Sequence, residues 1–262
     1  MRAEARHAAA RRWAGKAFSA LFWLSVWALC YRAVGQDLLL ASPRQVCARL
    51  WQLSGEASFW QTVGASLLRT ALAYALGVLG AALLAAGASA VPALRQLIAP
   101  AMTVVRATPV TSFIILALVW LRADRVPVLT GVLMVLPVVY ANLMEGIAST
   151  DPQLLEMARM FRFGRLRTAW RVYVPSALPT FAAACEASIG LCWKATVAAE
   201  VLGVPRGAIG TQLYNAKIYL ETDALMAWTV VVIVVSMALE QAFVRAMRGL
   251  VGRREAAHAR SV

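Results

Sequence analysis

Charged side chains stand inside long apolar runs at Arg69, Arg106, Glu145, Glu186, Lys194, Glu200 and Glu240. Hydrocarbon does not solvate such groups, so each must face protein, a water-filled cavity or the end of its run. Two chemistries suit them. They can line a polar path for a solute, or they can bind helices to one another. Glu186 and Lys194 are eight residues apart, about 80° around a helix, and so share a broad face two turns apart. Arg106, Glu186, Lys194 and Glu200 are the candidates for a path, and at this point the path and the helix-binding readings both stand. No chain of acids forms a proton relay, which weighs against a secondary carrier.

Other chemistries are absent. The only Gly-Lys near a phosphate-loop pattern is Gly15-Lys16, with Ala10 where the earlier glycine belongs and Ala17 where Ser or Thr belongs, so no phosphate cradle is encoded. His7 and His258 lie in the terminal segments, and neither has a neighbour that would build a catalytic triad. Cys30, Cys47, Cys185 and Cys192 form no CxxC or Cys/His cluster; they read as small apolar side chains, with neither zinc nor disulfides expected. No catalytic residue, metal or cofactor site is expected in this chain.

The elements that hold these charges are membrane helices. The chain has 262 residues, of which 61% are hydrophobic and 15% charged, against about a quarter charged in soluble domains. Apolar runs long enough to cross a bilayer recur, and continuous runs favour helices over an alternating β-barrel. The expected fold is all-α, with six spans at roughly 17–35, 62–87, 97–121, 126–147, 177–201 and 224–247. The basic-then-apolar run from Arg2 to Cys30 has no small-x-small cleavage site after it and reads as an uncleaved first span. Pro100, Pro109 and Pro137 lie in or beside spans three and four and should kink them.

The net charge of +13 would suggest nucleic acid in a soluble protein. Here 16 of the 26 cations fall in four separate pieces: Arg2 to Lys16, Arg95, Arg159 to Arg171, and Arg245 to Arg260, against six on the opposite side. All four lie on one side of a six-span layout. The positive-inside bias makes that side cytoplasmic, with both termini inside, and nucleic acid is not an expected partner. The layout divides the chain into a basic tail 1–16, a six-helix domain 17–248 and a basic tail 249–262. On the opposite side, Ser42-Pro43 begins an amphipathic stretch with Val46, Leu50 and Leu53 at helical spacing.

The segment after span four is the most ordered-looking polar part of the chain. In "TDPQLLEMARMFRFGRLRTAWRVYVPSALP", Asp151 suits an N-cap and Pro152 the first helical position. Leu154, Ala158 and Phe161 follow at i, i+4 and i+7 as an apolar face bordered by Met157. Gly164 is expected to take positive φ and end the helix. A second short helix is expected from Arg165 to Tyr173, before Pro175 and Pro179 open span five.

This stretch resembles the cytoplasmic EAA loop of ABC importer permeases, which has a glycine six residues after its glutamate and prolines nineteen and twenty-three after it. Glu156, Ala158, Pro175 and Pro179 match; Met157 replaces the middle alanine, and Arg162 stands at the glycine position. "LLLASPRQV", "VRATPVTSFIILALVWL" and "KATVAAEVLGVPRGAIGTQLY" are similar to segments of the nitrate/sulfonate/taurine-type permeases. The resemblance covers about residues 36–248.

The resemblance implies a type I importer permease in a bacterial inner membrane, paired with a second copy of itself. It implies a coupling loop, 149–175, that docks in a groove of a separate P-loop ATPase; ATP and Mg would be held there and not in this chain. It also implies a periplasmic or lipid-anchored binding protein that delivers a small oxyanion such as an aliphatic sulfonate, taurine or nitrate. Leu154, Met157, Ala158 and Phe161 would be the docking knob, and their basic surroundings would meet an acidic partner and the anionic inner leaflet. The alternative from another class is an ATP-independent carrier or channel, which has no need of such a knob.

Overall fold

In the computed structural model, backbone is described for residues 2–258 and side chains for Gly15 and residues 18–246. The basic side chains of 1–14, Lys16 and 247–262 lie outside that description. Every regular element among the described residues is helical. In order they are α1 (Arg2–Val34), α2 (Pro43–Ser54), α3 (Ala57–Ala90), α4 (Pro92–Ala107), α5 (Val110–Trp120), α6 (Val126–Ala148), α7 (Pro152–Met160) and α8 (Arg165–Thr168). A π turn (Ala169–Tyr173) leads into α9 (Val174–Gly203), followed by α10 (Ile209–Ile218) and α11 (Thr222–His258). The stretch 1–16, read as a tail, is therefore helical from Arg2 and continuous with the first apolar run.

Ala57–Ala90, Val126–Ala148 and Thr222–Ala246 are long and apolar enough to cross a bilayer singly. The third expected span is not one rod: α4 and α5 are bent by 105° at a short break. The cause is local. Pro109 disfavours helical backbone at the residue before it, and Thr108 is extended at φ −82°, ψ 130°. The apolar part of α1, Phe18–Val34, is shorter than the three single spans. The remaining expected span falls on α9, 30 residues long and carrying Glu186, Lys194 and Glu200.

The chain divides into two compact units. The first comprises Met1–Trp60 and Gln212–Val231. Its α2 begins as expected at Ser42, whose hydroxyl accepts from the Gln45 N–H while the Gln45 side chain accepts from the Ser42 N–H at 2.7 Å, a capping box. Val46, Leu50 and Leu53 then pack on Ala41, Trp27 and the start of α11 at Ala227.

The second unit, Gln61–Thr211 and Val232–Val262, holds the main core. Helices α3, α6 and α9 pack through small residues. A Cβ placed on Gly131 would stand 2.7 Å from Ala73 Cβ and 2.8 Å from Thr196 Cγ2, so this glycine lets all three helices meet closely. Lipid supplies no hydrophobic drive between helices, and such close backbone packing is what holds them. Around it Ala73, Ala81, Val135, Val139, Ala184 and Cys192 form a buried cluster.

Candidate functional site

The segment between α6 and α9 is built by its own caps. Asp151 accepts from the Gln153 N–H at 2.8 Å and Pro152 opens α7, as the sequence led one to expect. The helix ends in a Schellman motif: the Phe163 N–H donates to the Ala158 carbonyl at 2.9 Å, and the Arg162 N–H to the Arg159 carbonyl at 3.0 Å. The residue that takes the left-handed conformation is Arg162, at φ 52°. Gly164 is extended, at φ −66°, ψ 158°. The expectation that Gly164 makes the bend is thus corrected. The bend falls six residues after Glu156, where the resembled loop has its glycine, and an arginine occupies it.

A non-glycine residue there is disfavoured by roughly 1–2 kcal/mol, partly offset by the greater freedom a glycine has in the unfolded chain. Arg162→Gly should therefore stabilise the loop by about 0.5–1 kcal/mol, read as a higher thermal unfolding temperature. Arg162→Ala should give no such gain, and equal behaviour of the two would show that backbone strain is not at issue.

The helix expected over Arg165–Tyr173 is α8 and the π turn, which run without a break into α9. The wider turn lies just before Pro175, which has no N–H to donate. Pro179 lies inside α9 and not at its first turn.

The apolar side of α7 is divided. Leu154, Met157 and Phe161 are exposed, the last at 70%, and Met160 is exposed at 85%. Glu156 is exposed beside them. Ala158 is not part of this surface: it is 2% exposed and turned toward its own chain, with Leu155 half-buried on the same side. At about 100° per residue, Ala158 is only ~40° from Leu154. Spacing alone therefore cannot say which edge of the apolar stripe is turned home. Met160, missed in the sequence, completes the outward side.

The in-span charges separate into two groups. Glu186 and Lys194 are exposed on α9, on a face shared with Ala183, Ala187 and Leu191, and Arg106 is exposed in the last turn of α4 beside the bend. Glu200 is different: it is 0% exposed and fully engaged. Arg69 Nη1 lies 3.1 Å from Glu200 Oε1. Ser66 Oγ lies 2.8 Å from Oε2, and the Gly210 N–H donates to Oε2 at 3.2 Å. Arg69 also donates to the carbonyls of Arg206, at 2.9 Å, and Gly207, at 3.2 Å. The Ile209 N–H donates to Ser66 Oγ at 3.0 Å.

Glu200 as a path residue is therefore corrected. Its carboxylate closes a junction that fastens the α9–α10 turn to α3. The turn needs it, because α9 ends on left-handed Val204, at φ 50°, and the start of α10 presses on the last turn of α9. A Cβ on Gly210 would stand 2.4 Å from Glu200 Cβ. Arg69 was visible as an in-span charge, but nothing in its spacing pointed to a partner 131 positions away.

Comparison with known proteins agrees with this architecture. The taurine transport system permease protein TauC of Escherichia coli (strain K12) is 26% identical over 220 residues, covering 82% of this chain and 80% of that one. The aliphatic sulfonates transport permease protein SsuC of the same organism is 29% identical over 206 residues, covering 78% of each. In fold, the chain resembles a crystal structure of an amino acid ABC transporter solved with histidines: TM-score 0.58, 19% identity, 72% of this chain and 90% of that one. The family described as binding-protein-dependent transport system inner membrane component matches residues 77–256. That range takes in the α7 segment and α9 with Glu200, and the chain belongs to this family as a multi-pass membrane permease.

Proposed function

We propose that this chain forms the translocation pathway of an ATP-driven importer, completed by a second copy of itself, and that α7 couples it to a cytoplasmic P-loop ATPase. A periplasmic or lipid-anchored binding protein delivers the solute. ATP and Mg bind the ATPase, and this chain holds no cofactor. The observation that carries the reading is the outward side of α7. Leu154, Met157, Met160 and Phe161 stand exposed on a short capped helix beside a run of arginines. An apolar knob of this kind suits a groove in a partner. The bias of the basic segments supports a cytoplasmic position for it and for both termini.

Coupling then needs no chemistry in this chain. ATP binding draws the two ATPases together and moves the two α7 segments with them. The bundle is thereby biased between its inward- and outward-open states. α8, the π turn and α9 are continuous, so a displacement of the loop reaches the face of α9 that carries Glu186 and Lys194.

The solute we propose is a small oxyanion such as taurine, an aliphatic sulfonate or nitrate. The permeases named above support this, as do the cations Lys194 and Arg106, both exposed on the single chain. In proteoliposomes holding the permease, its ATPase and its binding protein, uptake of labelled taurine or sulfonate should require all three and ATP. Lys194→Gln should raise the half-saturating solute concentration or lower the maximal rate about tenfold. Uptake without ATP would overturn the reading in favour of a carrier.

A further inference from the structure

The inward side of α7 faces a half-open cavity of about 990 Å³, bounded by the ends of α3, α6 and α9 and by the loop itself. Its walls are apolar and unusually small: Ala85, Ala86, Ala148 and Ala177 leave the space that larger side chains would fill, and Leu143 and Phe181 close its depth. Three cations reach it, Arg95 at the start of α4, Arg159 on α7 and Arg165 on α8. Among the described residues no carboxylate lines it and none of the three arginines is in an ion pair. An apolar chamber with an uncompensated triple positive charge suits an amphiphile with an anionic head and a hydrocarbon tail.

The chamber is distinct from both surfaces assigned above. Val174, Ala177, Leu178 and Phe181 bring α9 to it, whereas Glu186 and Lys194 lie ~130° or more from the mean direction of those four at about 100° per residue. On α7 the lining residues are Leu155, Ala158 and Arg159, and the exposed Leu154, Met157 and Phe161 are not among them. A solute on the α9 charges and an ATPase on the outer side of α7 would both leave the chamber unoccupied.

We infer that this chamber binds an anionic phospholipid of the cytoplasmic leaflet, with acyl chain among the alanines and headgroup phosphate at Arg95, Arg159 and Arg165. Such a lipid would tie the α7–α8 loop to the ends of α3 and α6 and make the loop's position sensitive to membrane charge. The inference rests on the cytoplasmic placement of the loop proposed above, but its test needs neither ATPase nor transport, so the two can fail separately.

The full-length permease, purified in detergent, is incubated with phosphatidylglycerol or phosphatidylcholine of identical acyl chains, and retained lipid is counted by native mass spectrometry. Near an anionic headgroup each arginine contributes about fivefold. The wild type should therefore retain phosphatidylglycerol strongly over phosphatidylcholine, and Arg95→Gln with Arg165→Gln should reduce that preference by about 25-fold. Ala86→Trp, which fills the chamber and keeps every arginine, should lower retention of both lipids. Arg122→Gln, on a side chain exposed far along the sequence from the chamber, should change nothing. Equal retention of the two lipids by the wild type would overturn the inference, as would a preference that survives the double change. Displacement of the lipid by inorganic phosphate alone would reassign the site to a free anion and would overturn the inference as well.

Discussion

Arg69→Leu should lower the stability of the permease by roughly 3 kcal/mol, toward the lower end of what breaking a buried ion pair costs. Glu200 is completely enclosed, and removal of the guanidinium leaves its charge with only Ser66 Oγ and the Gly210 N–H. The carbonyls of Arg206 and Gly207 lose their donor in the same step. The lower end of the range applies because the Arg69 side chain is 18% exposed and water can partly replace it. Glu200→Gln should be milder, since an amide oxygen still accepts from Ser66 and Gly210, and the Arg69 cation that loses its carboxylate is 18% exposed and keeps the carbonyls of Arg206 and Gly207. The pair Arg69→Leu with Glu200→Gln should recover much of the loss, because the buried charge has gone. Thermal unfolding in detergent measures the totals. Amide exchange should show the first opening at 204–208, the turn that the junction fastens. Strictly additive effects of the two single changes would show that Arg69 and Glu200 do not act as a pair.

This junction marks the limit of what spacing can tell. The six apolar runs were legible because hydropathy and length are local properties, and each run coincides with a helix or a broken pair of helices. The start of α2 at Ser42 and that of α7 at Asp151 were legible because capping is local chemistry. Spacing could not choose between the two readings of Glu200, because one in-span carboxylate looks like another until its partner is known, and its partner sits on a helix far away in sequence. Ala158 was misplaced for a related reason. An apolar stripe gives the direction a helix face points only to within a few tens of degrees, and here the boundary between its inward and outward sides falls between Leu154 and Ala158.

The bend of the loop was misplaced by intrinsic preference. Glycine favours left-handed backbone, so Gly164 drew the assignment. The hydrogen bonds of the Schellman motif are fixed by where α7 ends, and that position belongs to Arg162. Tertiary and capping geometry prevailed over a single residue's propensity, as they do when the cost is near 1 kcal/mol. The bend in the third span was half legible: Pro109 announced a kink, but a 105° break rests also on the extended Thr108 before it.

The division of α7 turns one test of coupling into two different ones. Phe161→Asp and Met157→Asp place a charge on the outward side, where both side chains are exposed and the chain's own packing is untouched. Their expected effect is on the ATPase partner. A central apolar contact is worth about 2 kcal/mol or more, so affinity for the ATPase should fall ~30-fold and ATP-dependent uptake at least tenfold, with the unfolding temperature of the permease unchanged. Ala158→Asp instead puts a larger, charged side chain on the inward side of α7, where Ala158 is 2% exposed. That change should destabilise the loop by a few kcal/mol and lower the unfolding temperature before any question of docking arises. Binding of the ATPase to detergent-purified permease, measured beside thermal unfolding, separates the two. If Phe161→Asp and Met157→Asp retain wild-type affinity and uptake, the outward side of α7 is not the docking surface. If Ala158→Asp leaves stability intact while abolishing binding, the inward and outward sides of the helix have been assigned the wrong way round.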